Sequence, residues 1–282
     1  MITYNHESFI RQAIESVMMQ KTDFDFELVI GEDCSTDATR IIVSEIHQNF
    51  PKRIRLLLPK QNVGMMQNFR SSYACCVSQY ISFLEGDDYW TDSNKLQRQV
   101  DWMDSHPDCP LCFHPAIYVD EIGRPIRKQY PENPKCFYTL DDMMVQNWAQ
   151  IGSVMLRREL MPEIPPWFSE LLLGDWPLFI LMARFGDLCC LPETMMAYRI
   201  HPNSHWSSRL EAEKTLATIE MFRILAEHTS EPLRHKCNDA QVRTIQSLVD
   251  SVDVFRKSMS YRLGHRLLTP FRRFTDLRDE QL

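Results

Sequence analysis

Through the first hundred residues, apolar positions switch between two spacings. In ESFIRQAIESVMMQ, Phe9, Ile10, Ala13, Ile14, Val17 and Met18 recur at helical spacing, which gives one apolar face. FELVIGEDC is instead a short apolar run ended by charge, the form of a buried strand. The alternation continues. TDATRIIVSEIHQNF predicts a helix that Ser35, Thr36 or Asp37 caps, RIRLLL a strand, GMMQNFRSSYACCV a helix and YISFL a strand. NKLQRQVDWMDSH is a further helix, stopped by Pro107. The opening ITY is a first strand of about three residues, where a central strand usually has five or six. Either the sheet is pared down there or the natural start lies upstream of Met1. Strands alternating with helices predict an α/β fold, a mainly parallel sheet flanked by helices.

From residue 109 the pattern loosens. PLCFHPAIYVDEIGRPIRKQY predicts a hairpin around Gly123, and Pro-rich loops follow at 131–134 and 162–166. GDWPLFILMARFG is a helix ending at Gly186, and DLCCLPETMMAYRIH is extended. Beyond about residue 208 the chain reads as amphipathic helix. The expected organisation is a body over 1–207, with halves at 1–108 and 109–207, and a helical tail over 208–282.

Composition adds limits. The 282 residues carry a net charge of −7, which argues against nucleic acid as a partner of the whole body. Residues 255–278 hold seven Arg or Lys against one Asp, a net of +6 that leaves −13 for the rest. Their mixture with Phe, Tyr, Leu and Met suits either an anionic membrane surface or a surface helix packed on the body. The nine cysteines are scattered, mostly in apolar surroundings, and CPLC at 109–112 lacks the second pair a zinc site needs. They read as core thiols of a reducing compartment. With no apolar run near the roughly 20 residues of a spanning helix and no signal peptide, the expected location is the cytoplasm.

Ligands of open α/β sheets bind beyond the carboxyl ends of the strands. Those ends carry TYNHE, GEDCSTD, PKQNVG and EGDDYW, so polar side chains converge from four strands. Glu85, Asp87 and Asp88 lie within four positions, and like charges that close call for something positive among them. A carboxylate cluster facing a pocket suits a hard divalent cation, Mg²⁺ or Mn²⁺, that also takes phosphate oxygens.

Together, TYNHESFIRQAIESVMMQ, FELVIGEDCSTDAT, QNVGMMQN, EGDDYW and GDWPL…YRIHPNSHWS resemble the family 2 glycosyltransferases of the GT-A fold, in order and spacing, from Met1 to about Ser207. The tail is also similar to those of bacterial members that assemble cell-surface polysaccharide. The resemblance implies an inverting, metal-dependent transfer from a nucleoside-diphosphate sugar to a hydroxyl of a glycan or lipid-linked glycan. By this resemblance Thr3, Asn5 and Asp33 match positions that contact the donor's nucleoside, and Asn62 and Asn68 line the same cleft. Glu85 and Asp87 match the family's Asp-x-Asp pair, with Asp87 the metal ligand and Glu85 nearer the ribose. Glu at the first of these departs from the family pattern. Asp88 follows where a further carboxylate is common. Asp175 takes the place of the catalytic base, and His201 stands at the far wall, near the metal or diphosphate. Neither the Gln-x-x-Arg-Trp motif nor the membrane spans of processive members are found, so the resemblance implies one addition per encounter.

Plainer roles stay open beside these. Asp33 and Asp37 suit a strand end and a helix start, the 85–88 triplet a solvated turn, and Asp175 a helix cap. His201 beside a proline suits a structural histidine, and Trp90 and Trp176 suit packing or the floor of a sugar site. Two other functions compete: a metal-dependent nucleotidyltransferase and a catalytically silent nucleotide-sugar binding protein. The first wants a Gly- and Arg/Lys-rich loop after strand one, which TYNHESF is not.

Overall fold

The structure is a computed structural model and describes residues 1–257. Contacts divide the chain after Arg209 into two compact units.

The first unit begins with β1 (Ile2–Thr3), α1 (Ile10–Met18), β2 (Leu28–Glu32), α2 (Thr39–Asn49), β3 (Ile54–Leu57), α3 (Met65–Ala74) and β4 (Tyr80–Ser82). It continues with β5 (Tyr89–Trp90), α4 (Lys95–Ser105), β6 (Leu111–Phe113), β7 (Ala116–Val119), β8 (Pro125–Tyr130), β9 (Phe137–Tyr138) and α5 (Leu140–Met143). β10 (Met155–Arg157), α6 (Asp175–Met182), β11 (Leu188–Cys190) and β12 (Met196–Arg199) complete it.

Strands β1, β2 and β3 form a parallel sheet with β2 in the middle, all five of its residues buried. α1 covers it with Ile10, Ala13, Ile14 and Val17, the face that the spacing predicts. Gly31 in β2 lets α3 approach closely, because a β-carbon there would collide with Asn68 and Ser72. At the end of β2, buried Glu32 pairs with Arg40 of α2 and accepts from the Ser35 amide at 2.6 Å. Asp37 accepts from the Thr39 amide at 2.9 Å, so it starts α2 as a cap would, while Ala38 occupies the residue before the helix.

The second half mixes directions. One sheet has the order β4-β10-β6-β11-β9, with β10 antiparallel to both β4 and β6 and β11 parallel to β6. The parallel bridge Ile2↔Glu85 joins β1 to the chain just beyond β4. A third sheet, β5-β12-β7-β8, contains the hairpin around Gly123, whose φ of 87° glycine adopts freely. Strand β10 is absent from the sequence reading. It is three residues between two 3-10 turns, too short for alternation to register.

The second unit is described as α7 (Glu211–His228) and α8 (Leu233–Lys257), which pack on each other. The basic 255–278 segment expected at a membrane surface lies almost wholly outside the described residues. Among the described residues, no helix is long and apolar enough to cross a membrane.

Candidate active site

The acidic loop follows β4, where the chain leaves a buried apolar strand beside the end of β1. The Gly86 amide donates to the Ile2 carbonyl at 3.0 Å, which places Glu85 and Asp87 over the loop that follows β1. Gly86 is needed there: a β-carbon would lie 2.5 Å from Thr3 Oγ1 and 2.8 Å from His6 Nδ1. Thr3 is buried and its hydroxyl meets His6 Nδ1 at 3.2 Å, so the ring is held with Nε2 toward Asp87. His6 Nε2 stands 3.8 Å from Asp87 Oδ2, and His201 Nε2 reaches the same oxygen at 3.1 Å. The carboxylate of Asp87 therefore lies between two imidazoles.

An arginine also braces the loop. Arg199, at the end of β12, donates from Nε to the Asp87 carbonyl at 2.9 Å and from its own amide to Asp88 Oδ1 at 2.8 Å. Its guanidinium also reaches Gln12 at 2.7 Å and the Glu121 carbonyl at 2.7 Å, and lies over the rings of Phe9 and Tyr89. One buried arginine thus ties the acidic loop to α1 and to the β7–β8 hairpin.

The four carboxyls respond differently to these surroundings. Burial alone would raise Asp87, but the hydrogen bond from His201 and the charges of His6 and His201 outweigh it and hold the group low. Glu85 is pushed up to about 8, first by burial, then by Asp87 and Asp175. Asp88 is raised well above the carboxylate range by burial, with Asp87 and Glu85 adding. Its Oδ2 has no hydrogen-bond partner among the described residues. Asp88 therefore braces the loop through Oδ1, held by the Arg199 amide. His6 is lowered by burial, which Asp87 only partly offsets.

Asp175 is the first residue of α6, not the residue ahead of it. Burial raises its carboxyl, against hydrogen bonds from the Trp176 amide and from Asn147, whose Nδ2 lies 2.8 Å from Oδ2. Its charge is felt at Glu85, so Asp175 and the acidic loop lie near one another.

The remaining candidates gather around the end of β2. Asp33 is 2% exposed, and its two carboxylate oxygens accept from the Val63 and Gly64 amides at 2.8 and 2.9 Å. Asn62 donates to the Asp33 carbonyl at 3.0 Å, so Asp33 and Asn62 shape the loop before α3. Asn5, with φ of 54°, accepts from the Thr36 amide at 2.8 Å and links the loops after β1 and β2. Asn68 is buried and donates to the Gly31 carbonyl at 2.8 Å, which fastens α3 to β2. Trp90 is buried and donates to the Gly152 carbonyl, so it packs and is no sugar floor. Trp176 donates to the Met143 carbonyl at 2.7 Å. All nine cysteines are free thiols, five of them buried: Cys109, Cys112, Cys189, Cys190 and Cys237.

One carboxylate with flanking imidazoles suits a cation such as Mn²⁺, whose other ligands come from phosphate and water. Among the described residues, no group of three or more His, Cys, Asp or Glu side chains is placed to hold a metal ion. The residues fit an open site, in which Asp87 and His201 would be the protein ligands.

Residues 1–160 match the glycosyl transferase family 2 description, more than half of the chain. An uncharacterised protein of Mycobacterium tuberculosis is 35% identical over 207 residues, 73% of this chain and 59% of the relative. The chain thus spans about three-fifths of the length of its mycobacterial relatives. A putative teichuronic acid biosynthesis glycosyltransferase of Bacillus subtilis is 28% identical, over 75% of this chain and 82% of that protein. Among solved structures, S. aureus TarS 1–349 in complex with UDP-GlcNAc superposes with a TM-score of 0.63 at 19% identity, covering 86% of this chain and 70% of that one. A mannosyltransferase from Pyrobaculum calidifontis in complex with GDP-Man and Mn²⁺ gives 0.62 at 12% identity, covering 95% and 82%. These likenesses place the chain in the GT-A fold, α/β with C-terminal helices.

Proposed function

We propose that this chain, which belongs to glycosyl transferase family 2, moves a sugar from a nucleoside-diphosphate sugar to an acceptor hydroxyl, with inversion and with Mn²⁺ or Mg²⁺. The observation that carries the reading is a pair of carboxyls set for opposite tasks. Asp87 is held ionised between His6 and His201, whereas Asp175 is raised by burial. The first suits a cation; the second suits proton uptake, since a general base works best with its pKa near the operating pH.

Asp87 and His201 would hold the cation, which supplies positive charge to the diphosphate as it departs. Thr3 keeps His6 turned toward Asp87, and Arg199 fixes the backbone that carries Asp87. Asp33, Asn62 and Asn5 order the loops where the nucleoside would lie, and Glu85, uncharged below about pH 8, can donate to it. The acceptor oxygen bonds to the anomeric carbon while the bond from that carbon to the diphosphate oxygen breaks. The electron pair leaves on the diphosphate, and the hydroxyl proton passes to Asp175.

The setting we favour is the inner face of the plasma membrane, with a glycan or lipid-linked glycan as acceptor. Support comes from the B. subtilis relative described as serving teichuronic acid biosynthesis. The test is a panel of UDP- and GDP-sugars assayed for released diphosphate with Mn²⁺ or Mg²⁺. Turnover of one donor, stimulated by acceptor glycan, is the expected result; binding without turnover of any donor would favour a silent nucleotide-sugar binder.

A further inference from the structure

We propose that Asn147 is a positioning residue for the base, holding the Asp175 carboxyl through Oδ2 in the orientation that takes the acceptor's proton. The inference rests on Asp175 being that base.

Asn147 Nδ2 donates to Asp175 Oδ2 at 2.8 Å. Its own Oδ1 accepts from the Ala149 amide at 3.3 Å, so the side chain's orientation is set at both ends. A flipped amide would turn oxygen toward the carboxylate and lose both bonds. The loop is anchored as well. Tyr130 donates its hydroxyl proton to the Asn147 carbonyl at 2.6 Å and accepts from Gln146 Nε2 at 2.6 Å, which ties residues 146 and 147 to the end of β8. On the far side, the Trp176 indole donates to the Met143 carbonyl, so the start of α6 is fastened to the chain just before the same loop.

The chemistry follows from these bonds. Asn147 holds Oδ2 and the Trp176 amide also bonds the carboxyl, so its orientation is set by both. As the acceptor oxygen bonds to the anomeric carbon and the diphosphate leaves with its electron pair, the hydroxyl proton goes to the Asp175 carboxyl. The Asn147 amide also favours the ionised carboxyl, as the Trp176 amide does, and both oppose burial; Glu85, the nearby titratable group, is the one raised by the charge of Asp175. Loss of the Asn147 amide therefore has two effects: the carboxyl becomes harder to ionise, and it loses one of the bonds that set its orientation.

The test measures kcat against pH at saturating donor, using UDP-GlcNAc or GDP-mannose, whichever turns over. For Asn147→Ala we expect kcat to fall by about 10–100-fold and the acid limb to move up by about one pH unit. Donor KM and affinity for UDP with Mn²⁺ should stay within about twofold. Asn147→Asp is nearly isosteric, sets a like charge against Asp175 and should move the limb further the same way. Acid limbs unmoved in both variants, or a donor KM that rises in step with the loss of kcat, would overturn the proposal. Asp175→Asn separates the two ideas. If it transfers sugar at the parental rate, the base assignment fails. If it is inactive while both Asn147 variants keep the parental acid limb, the base stands and Asn147's role falls.

Discussion

Two places in the first unit bury ionisable groups, and only one reads as a site. In the acidic loop, neighbours two positions apart are driven in opposite directions: Asp87 is held low, Glu85 pushed up to about 8. In the core, Lys95 is 0% exposed and is pulled down to about 7 by burial. Its partners are Ser82 Oγ at 2.9 Å, Gln99 Oε1 at 2.6 Å and the face of Trp90 at 4.1 Å. Those partners are neutral and enclose it. The loop instead has imidazoles, an arginine and a fourth carboxyl, from α6, and Glu85 and Asp87 remain partly open. A displaced pKa alone does not mark function. What separates the two is unlike charges meeting where a ligand can enter.

The largest expected effect sharpens that contrast. Asp87→Ala should lower transfer by about 10²-fold or more and remove the Mn²⁺ dependence of diphosphate binding. Lys95→Met should leave both unchanged and instead stabilise the fold, on the order of 1–4 kcal/mol in denaturant melts. If Lys95→Met disables transfer while leaving the fold intact, the division between site and core is misdrawn.

The pH dependence of stability is the next test. Lys95 has a folded pKa below its unfolded value, so its penalty is full below about pH 7 and fades as pH rises toward about 10. Stability should thus rise across that window, and Lys95→Met should flatten the rise. Glu85 is raised, so in metal-free protein its folded state keeps a proton that the unfolded chain loses above about pH 4.3. Stability should fall from there toward about pH 8, and Glu85→Gln should remove part of that slope. Melting curves from pH 4 to 10 measure both. Slopes of the same sign in the two windows would contradict the assignments. The smallest effect concerns Thr3, which touches His6 but not Asp87. Thr3→Val should weaken Mn²⁺ binding by about tenfold at most, read from free Mn²⁺ by electron paramagnetic resonance.

How far these groups could be read in advance depends on their contacts. The acidic triplet was legible because YISFL is an apolar run with nothing to explain charge at its end. Asp175 and His201 stood out through the family resemblance of GDWPL…YRIHPNSHWS. The helices of the first hundred residues followed from their apolar spacing. His6, Arg199 and Asn147 were not singled out, because their roles rest on partners 81, 112 and 28 positions away. A faint signal existed for Arg199, a charge inside the extended run MMAYRIH, where an apolar residue is the default. Asn68 shows the reverse: placed in the cleft by resemblance, it bonds to the carbonyl of Gly31, whose missing side chain admits it. Strand β10 needed tertiary pairing to appear at all.

The division of labour between Asp87 and Asp175 is the centre of the account, and Asp175→Asn tests it most directly. The amide keeps nearly the same shape but cannot take the hydroxyl proton. Calorimetry with UDP and Mn²⁺, run beside the transfer assay, should give near-parental binding together with a loss of transfer of about 10²-fold or more. Near-parental transfer by Asp175→Asn would contradict the account, because some other group would then be accepting the proton.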